Sequence, residues 1–285
     1  MDKKFCEYKN KKIAYVDEGS GDPIIFFHGN PTSSYLYRNI ISDLKNKYHC
    51  FAADMIGMGD SEKLDNPGHM TYTFQTHYEY LSAFIDSLNI DKKITLVGQD
   101  WGGPLSIKWA RENPDRVNGI CYFETVITPI KSEHMGEAIR GLFMMLRSDK
   151  GDKKVLEENF FVEKMLGKDS IEPLSEEIMN IYRKPYLNQG EDRRPTLDWP
   201  RQIPIDREPI EVHEEVKANL SFMMENEIPK LLIIGNPGRL MGKPLIDLCR
   251  SFKNQTEATV KGNHFLQEES PQEISEAIKQ WLNKN

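Results

Sequence analysis

The segment Val97-Gly98-Gln99-Asp100-Trp101-Gly102-Gly103 follows a short apolar run at 94–97 and precedes a helical pattern at 105–111. The apolar run is typical of a buried strand. Gly98 and Gly102 suit a strained turn in which a strand and a helix cross closely. Asp100 occupies the position that serine takes in a G-x-S-x-G nucleophile elbow. We therefore predict that this unit presents Asp100 as a nucleophile; an aspartate that caps a helix is the alternative.

Strand-like and helix-like segments alternate on both sides of this unit. Strands are predicted at 12–16, 23–27, 50–53, 94–97, 117–123, 231–234 and 258–260. Helices are predicted at about 34–47, 74–88, 105–111, 245–252 and 271–282. This alternation indicates an α/β fold, in which helices cover both faces of a mainly parallel sheet.

The alternation stops at about residue 128 and resumes after about residue 210. Helical periodicity is present at 135–146, 155–166 and 175–186, and the proline-containing segment 195–200 interrupts it. We predict a core domain formed by residues 1–127 and 211–285, with a helical cap formed by residues 128–210 inserted into it.

Composition excludes several classes of protein. The 285 residues are 39% hydrophobic and 28% charged, with an ordinary content of 19 glycines and 16 prolines, which excludes collagen-like, low-complexity and wholly disordered chains. No apolar run approaches the ~18 residues of a membrane-spanning helix, so no membrane partner is expected. The net charge is −7 and no basic stripe is present, so no nucleic-acid partner is expected.

The cysteines and the start of the chain bear on its location. The four cysteines are scattered and form no C-x-x-C pair, so neither a disulfide framework nor a zinc site is expected. The first residues lack the apolar core of a secretion signal. We therefore predict reduced thiols and a cytoplasmic location.

Two further residues could complete a site around Asp100. His264 follows the last predicted strand, where a histidine base stands in the chain order nucleophile, acid, histidine. An acid that orients this histidine could follow either of two strands. The segment Gly235-Asn236-Pro237-Gly238 has no carboxylate, whereas Glu124 comes directly after the strand at 117–123. We predict His264 and Glu124 for these roles; a solvated loop histidine and a solvent-facing glutamate are the alternatives.

The loop Phe27-His28-Gly29-Asn30-Pro31 follows another strand and could approach Asp100. The backbone N–H groups of Asn30 and Trp101 could then form an oxyanion hole. The side chains of these two residues are neutral donors with apolar bodies, which suits a large, weakly hydrated anion such as chloride or bromide. A turn residue and a core tryptophan are the alternatives. Asp54, at a further strand end in a glycine-rich loop, is predicted to organise that loop.

An aspartate nucleophile implies a particular mechanism. Its reference pKa of ~3.9 keeps it ionised near neutral pH, so it needs no base to activate it. It can displace a leaving group from saturated carbon and form an ester. A histidine can then deprotonate the water that attacks the ester carbonyl. The mechanism requires neither a metal nor an organic cofactor.

In combination, these motifs resemble the haloalkane dehalogenase family of the α/β-hydrolases. In the predicted core, the resemblance rests on segments 28–36, 54–61, 98–104 and 264–268, which read HGNPTSSYL, DMIGMGDS, GQDWGGP and HFLQE. In the predicted cap, it rests on segments 158–163 and 193–200, which read ENFFVE and RRPTLDWP. It implies an eight-stranded, mainly parallel sheet and the hydrolysis of haloalkanes to alcohol, halide and proton.

The resemblance also implies a role for each candidate residue. Asp100 is the nucleophile, His264 the base and Glu124 the acid, while Asn30 and Trp101 hold the halide. The absence of a carboxylate at Asn236 resembles the subgroup whose acid follows the sixth strand.

The resemblance further implies an apolar substrate pocket beneath the cap. Candidate lining residues are Phe143, Phe161, Pro200, Leu240 and Phe265, for most of which ordinary packing is the alternative. Asp169 would lie near a tunnel mouth. The expected partners are a small apolar halogenated substrate and a halide ion, and the expected state is a monomer or a weak homo-oligomer.

Three other functions remain open at this point. An epoxide hydrolase would use the same nucleophile, and Tyr182 or Tyr186 could protonate the epoxide oxygen. Luciferases that oxidise coelenterazine resemble the dehalogenases closely. A ligand-binding receptor descended from a hydrolase is the third alternative, although a complete catalytic set argues against it.

Overall fold

The structure, a computed structural model, describes residues 2–167 and 170–284, and an eight-stranded sheet runs through its centre. The strands are β1 (Lys4–Tyr8), β2 (Lys11–Gly19), β3 (Asp22–Phe27), β4 (Tyr48–Ala53), β5 (Ile94–Asp100), β6 (Val117–Thr125), β7 (Lys230–Pro237) and β8 (Gln255–Gly262). Their order in the sheet is β1-β2-β4-β3-β5-β6-β7-β8. The β1–β2 and β2–β4 pairs are antiparallel and all other pairs are parallel.

Eleven α-helices are present among the described residues. They are α1 (Arg38–Leu44), α2 (Phe74–Ser87), α3 (Gly102–Glu112), α4 (Glu137–Leu146), α5 (Asp149–Asp152), α6 (Glu176–Arg183), α7 (Arg194–Arg201), α8 (Ile210–Glu225), α9 (Lys243–Arg250), α10 (Leu266–Glu269) and α11 (Pro271–Leu282). None of these helices combines the length and the apolar character needed to cross a membrane.

Helices cover both faces of the sheet. Side chains alternate between the faces of a strand, so neighbouring residues of β3 enter different cores. Ile25 and Phe27 pack with side chains of α2, α3 and α8, whereas Ile24 and Phe26 pack with side chains of α1 and α11. The predicted fold class, a mainly parallel eight-stranded sheet with helices on both faces, is confirmed.

The described residues between β6 and α8 form helices and turns without a strand of the main sheet. The two ends of this segment meet at a bridge between Ile130 and Ile205. Asp206 strengthens the junction, because its N–H donates to the Ile130 carbonyl and its carboxylate accepts from the N–H of Ser132. The boundaries of the core at 1–127 and 211–285 and of the cap at 128–210 stay predictions. Asp169 lies outside the described residues.

The structure differs from two local predictions in this segment. The helical periodicity at 155–166 corresponds to two separate π-helices, Lys153–Glu157 and Phe161–Leu166, rather than to one continuous helix. Asn159 separates them with φ 52°, a left-handed conformation that asparagine adopts more easily than most residues. Segment 195–200 does not interrupt helical structure but forms most of α7. Pro195 is compatible with this helix because it lies in the first turn, where its missing N–H has no partner to bond.

Candidate active site

The turn between β5 and α3 presents Asp100 at the carboxyl end of its strand. Asp100 has φ 52°, in the left-handed region that L-residues adopt only at some cost. A Cβ on Gly98 would lie 2.6 Å from the carbonyl oxygen of Gly102, and a Cβ on Gly102 would collide with the backbone of Phe27. The Thr125 hydroxyl donates to the Asp100 carbonyl at 2.6 Å and holds the turn against β6. The glycines therefore permit a turn that other residues would block.

The carboxylate of Asp100 contacts two segments that are distant in sequence. Its Oδ1 accepts a hydrogen bond from the backbone N–H of Asn30 at 2.8 Å. Its Oδ2 lies 3.5 Å from Nε2 of His264. Asn30 follows β3, Asp100 is the last residue of β5, and His264 follows β8. The carboxyl ends of parallel strands meet at one edge of a sheet. The topology therefore brings together Asp100, Asn30 and His264.

Glu124 contacts the other nitrogen of His264. The distance from Glu124 Oε2 to His264 Nδ1 is 3.4 Å, and Glu124 is only 1% exposed. The same oxygen accepts hydrogen bonds from the backbone N–H groups of Arg239 at 3.0 Å and Leu240 at 2.7 Å. The segment after β7, which has no carboxylate of its own, thus supplies donors to the carboxylate from β6.

His264 is buried between two carboxylates, which changes its proton affinity. Burial alone lowers the pKa of an imidazole, because the charged form loses its hydration. Here the hydrogen bonds and charges of Asp100 and Glu124 outweigh burial and raise the pKa of His264 to about 10. While both carboxylates are ionised, His264 is an imidazolium at neutral pH.

The side chains of Asn30 and Trp101 are both held by α7. Asn30 Nδ2 donates to the backbone carbonyl of Thr196 at 3.2 Å. The indole ring of Trp101 is buried and stacks on that of Trp199, with ring centroids 4.6 Å apart and planes inclined by 22°. The two side chains that the sequence predicts to hold a halide therefore both contact α7.

Sequence reasoning did not anticipate several residues that contact this site. Gln99 Nε2 lies 3.2 Å from His264 Nε2 and donates to the His264 carbonyl at 3.1 Å. The contacts of Thr125, Thr196 and Trp199 with the candidate residues were also not predicted. Gln99 and Thr125 stand next to candidate residues in the sequence, a signal that could have drawn attention to them. No local pattern indicates the contacts of Thr196 and Trp199, which depend on where α7 packs.

Two other polar residues at strand ends have structural contacts. Asp54 is buried, accepts from the backbone N–H groups of Ser34 at 2.8 Å and Asp60 at 2.7 Å, and pairs with Lys3. It organises its loop, as predicted. His28 bonds the Gly29 carbonyl and the Met55 N–H, both at 2.9 Å, and burial lowers its pKa. Since both ring nitrogens are occupied, His28 is not a second base.

The five predicted pocket residues occupy different environments. Phe265 is buried and its ring contacts that of His264 edge-on, with centroids 4.7 Å apart. Phe143 and Phe161 are partly buried against an apolar cluster of the helical segment, and Pro200 is buried in α7. Leu240 is 40% exposed, and its backbone N–H donates to Glu124. Their lining roles stay predictions.

Within residues 2–167 and 170–284, no three His, Cys, Asp or Glu side chains are grouped so that they could hold a metal ion.

Comparisons with known proteins identify the class of this chain. A family model described as the α/β-hydrolase fold matches residues 22–271. A haloalkane dehalogenase from Sphingobium indicum is 47% identical over 277 residues, which are 97% of this chain and 94% of that relative. A coelenterazine h 2-monooxygenase from Renilla reniformis is 36% identical, over 95% of this chain and 88% of that relative.

A solved structure agrees with these relatives. The haloalkane dehalogenase from Bradyrhizobium elkani superposes with a TM-score of 0.93 at 33% identity, covering 99% of this chain and 98% of that chain. The chain belongs to the haloalkane dehalogenase family.

Proposed function

We propose that this protein hydrolyses the carbon–halogen bond of small apolar haloalkanes to give an alcohol, a halide ion and a proton. The observation that carries the proposal is the contact of Asp100 with both the Asn30 N–H and His264, at 2.8 and 3.5 Å. This arrangement suits an aspartate that attacks carbon to form an ester, which an activated water molecule then hydrolyses. The 47% identity with a haloalkane dehalogenase supports the same reaction.

In the first step, Oδ2 of Asp100 attacks the carbon that bears the halogen. The new carbon–oxygen bond forms as the carbon–halogen bond breaks, and the electron pair leaves with the halide. Oδ1, which accepts from the Asn30 N–H, becomes the carbonyl oxygen of the ester. The side-chain N–H groups of Asn30 and Trp101 hold the departing halide, since neutral donors suit a weakly hydrated anion.

In the second step, His264 acts as the base. Formation of the ester removes the negative charge of Asp100, which is one of the causes that raise the pKa of His264. The imidazolium then loses its proton to solvent, and Nε2 becomes free to take a proton from water. The hydroxide formed attacks the ester carbonyl carbon of Asp100. The Asn30 N–H stabilises the resulting oxyanion, while Glu124 stabilises the imidazolium. The oxyanion then collapses, the bond between the carbonyl carbon and the alkyl oxygen breaks, and the alcohol leaves with the proton of His264. His264 takes up the proton of the regenerated Asp100 carboxyl group, which restores the carboxylate and the imidazolium.

We further propose that residues 128–210 form a cap over this site. The carbonyl of Thr196 and the ring of Trp199 contact the candidate halide pair, which supports this placement. Phe143, Phe161, Pro200, Leu240 and Phe265 remain the proposed pocket lining. The cytoplasmic location and a monomeric or weakly oligomeric state also stay predictions.

The contacts of the two cap tyrosines argue against an epoxide hydrolase. The Tyr182 hydroxyl donates to Glu268, which in turn pairs with Arg38. Tyr186 is fully buried, with the ammonium group of Lys63 4.7 Å from its ring centroid. The Tyr182 hydroxyl is therefore already bonded to another group, and the Tyr186 side chain is buried against Lys63, so neither is arranged to donate to an epoxide oxygen beside Asp100.

Coelenterazine oxidation is the second candidate function, because the Renilla reniformis monooxygenase is 36% identical to this chain. The dehalogenase proposal is preferred because identity with the Sphingobium indicum dehalogenase is higher, at 47%. Light emission after the addition of coelenterazine would favour the second candidate.

The decisive experiment measures halide and proton release from terminal bromoalkanes and dibromoalkanes. Wild-type protein should release both products continuously, whereas Asp100→Asn should release neither, because an amide oxygen is a poor nucleophile. Asp86→Asn, at an exposed position of α2, is the matched control and should behave as wild type. Halide release by Asp100→Asn at the wild-type rate would exclude Asp100 as the nucleophile. Absence of release from wild type would contradict the proposed function.

A further inference from the structure

Three aromatic rings form a stack that joins α2, α7 and the turn before α3. The ring of Trp199 contacts that of Trp101, with centroids 4.6 Å apart and planes inclined by 22°. The imidazole of His77 stacks on Trp199 at 4.2 Å and 14°. Trp199 and His77 are fully buried, so the rings have little freedom to move. Trp199 is the ring that both of the others contact.

The same helix also holds the side chain of Asn30. The Thr196 carbonyl, which can only accept, receives a hydrogen bond from Asn30 Nδ2 at 3.2 Å. This contact decides which way round the amide lies, because the opposite orientation would place two oxygens together. One of the two N–H bonds is used in this way, and the other is left to bind an anion. Thr196 therefore sets the plane of the Asn30 amide.

Helix α7 is itself anchored to the core. The carboxylate of Asp198 accepts hydrogen bonds from the backbone N–H groups of Tyr72 at 3.0 Å and Met70 at 3.4 Å. One residue beyond the helix, Gln202 Oε1 accepts from the N–H of Phe74 at 2.9 Å. These contacts tie α7 to the start of α2, from which His77 projects.

We propose that α7 positions both donors of the halide pair: Trp199 sets the plane of the Trp101 indole, and Thr196 sets that of the Asn30 amide. Trp199 is thus a positioning residue, and this inference rests on the proposed function. A hydrogen bond weakens when its donor is poorly aligned with the acceptor. Loss of the Trp199 ring should therefore weaken halide binding and slow the alkylation of Asp100. It should leave hydrolysis of the ester unchanged, because the halide donors act before that step.

The test compares Trp199→Leu with Trp199→Phe, which keeps a flat ring but lacks the indole N–H. We expect the Kd for bromide to rise about 5-fold in Trp199→Leu and to stay within about 2-fold of wild type in Trp199→Phe, because stacking depends on the ring. The Kd is read from the saturable quenching by bromide of the remaining tryptophan fluorescence. In Trp199→Leu, halide release in a single turnover should also be slower than in wild type. Decay of the alkyl-enzyme should keep its wild-type rate.

Trp109→Leu is the matched control. Trp109 is an equally buried tryptophan of α3 that has no ring contact with the stack. Its loss should lower stability without changing the Kd for bromide. If Trp199→Leu does not fold, His77→Leu compared with His77→Phe makes the same test on the other contact of Trp199, with a smaller expected increase in Kd for the leucine variant alone.

The outcomes separate this inference from the proposed function. Absence of saturable bromide binding by wild type would contradict the halide pair itself. Bromide binding that is equal in wild type, Trp199→Leu and Trp199→Phe would overturn the positioning role alone. An equal increase in the Kd for bromide in both Trp199 variants would assign the effect to the indole N–H. That result would also overturn the positioning role of the Trp199 ring.

Discussion

The proton affinity of His264 follows from the two carboxylates at its ring nitrogens. Asp100 lies 3.5 Å from Nε2 and Glu124 lies 3.4 Å from Nδ1. With both ionised, the pKa is raised to about 10, so the resting imidazole carries a proton. A group with so high a pKa is already protonated near neutral pH, so it cannot take a proton from water. In the proposed mechanism, the base becomes available only after Asp100 has been esterified, which orders the two steps.

We predict that His264→Phe releases about one halide per site and then stops, because the ester forms but no base activates water. Rapid-quench halide measurement should show the burst. Mass spectrometry should show the added alkyl group on the fragment that contains Asp100. Continuous turnover, or a burst without an alkylated fragment, would contradict the division of labour between Asp100 and His264.

His77 should make the protein sensitive to acid. Burial lowers the pKa of His77 from 6.5 to about 3. Between these pH values, the unfolded chain binds a proton at His77 that the folded protein does not bind. The contribution of the neutral, buried His77 to the free energy of unfolding is therefore complete above pH 6.5 and is lost progressively as the pH decreases towards 3.

We predict that His77→Phe, which keeps a flat ring in the stack, loses less stability in acid than wild type. Between about pH 7.5 and about pH 5.5, the difference between the two losses should be about 1.4 kcal/mol. Urea unfolding at both pH values measures it. His28, whose pKa burial also lowers, is present in both proteins and cancels in the comparison. Equal losses in the two proteins would show that His77 titrates normally.

Two glycines, one in β5 and one in α4, illustrate opposite packing requirements. A Cβ on Gly98 would lie 2.6 Å from the Gly102 carbonyl oxygen and 2.7 Å from Ser106 Oγ. Gly141 lies on the exposed side of α4, and a Cβ there would meet no atom within 4 Å. The first glycine is required by packing, while the second only adds flexibility to a helix.

We predict that Gly98→Ala lowers the free energy of unfolding by about 1–3 kcal/mol, because the added methyl group overpacks the turn. Gly141→Ala should raise it by about 0.5–1 kcal/mol, because alanine favours the helix. Denaturant unfolding of both variants provides the measurement, each serving as the control for the other. A change of the same sign in both would show that space around the Cβ does not decide the effect.

Contacts between distant elements join the helical segment to two helices of the core. Glu268 of α10 pairs with Arg38 of α1 through two hydrogen bonds of 2.6 Å, and it accepts a third from the Tyr182 hydroxyl of α6. Three elements thus converge on one buried carboxylate. Tyr186, which follows α6, is buried like Tyr182, but its hydroxyl has no hydrogen-bond partner within the described residues.

We predict that Tyr182→Phe lowers the free energy of unfolding by about 2 kcal/mol, since it removes a hydrogen bond to a charged group. Tyr186→Phe, the matched control, should be neutral or slightly stabilising, because it removes a buried hydroxyl without a partner. Thermal and denaturant unfolding measure both. Equal destabilisation by the two substitutions would show that the bond to Glu268 contributes nothing.

Much of the fold and of the candidate site was predictable because the signals are local. Strand and helix periodicity, with the glycines around Asp100, sufficed to predict the β5–α3 turn. Asp100, Glu124 and His264 each stand at or just after the end of a predicted strand. Parallel strands collect such residues at one edge of a sheet, so their approach could be anticipated without coordinates.

The tertiary structure alone decided what surrounds these residues. No sequence pattern indicates that the N–H groups of residues 239 and 240 hold Glu124, or that α7 holds Asn30 and Trp101. Nor does the sequence reveal how far the pKa of His264 is raised. These properties depend on distances between segments that are tens of residues apart. Periodicity determines which face of an element is buried, but only the packing of the whole chain determines which groups that face meets.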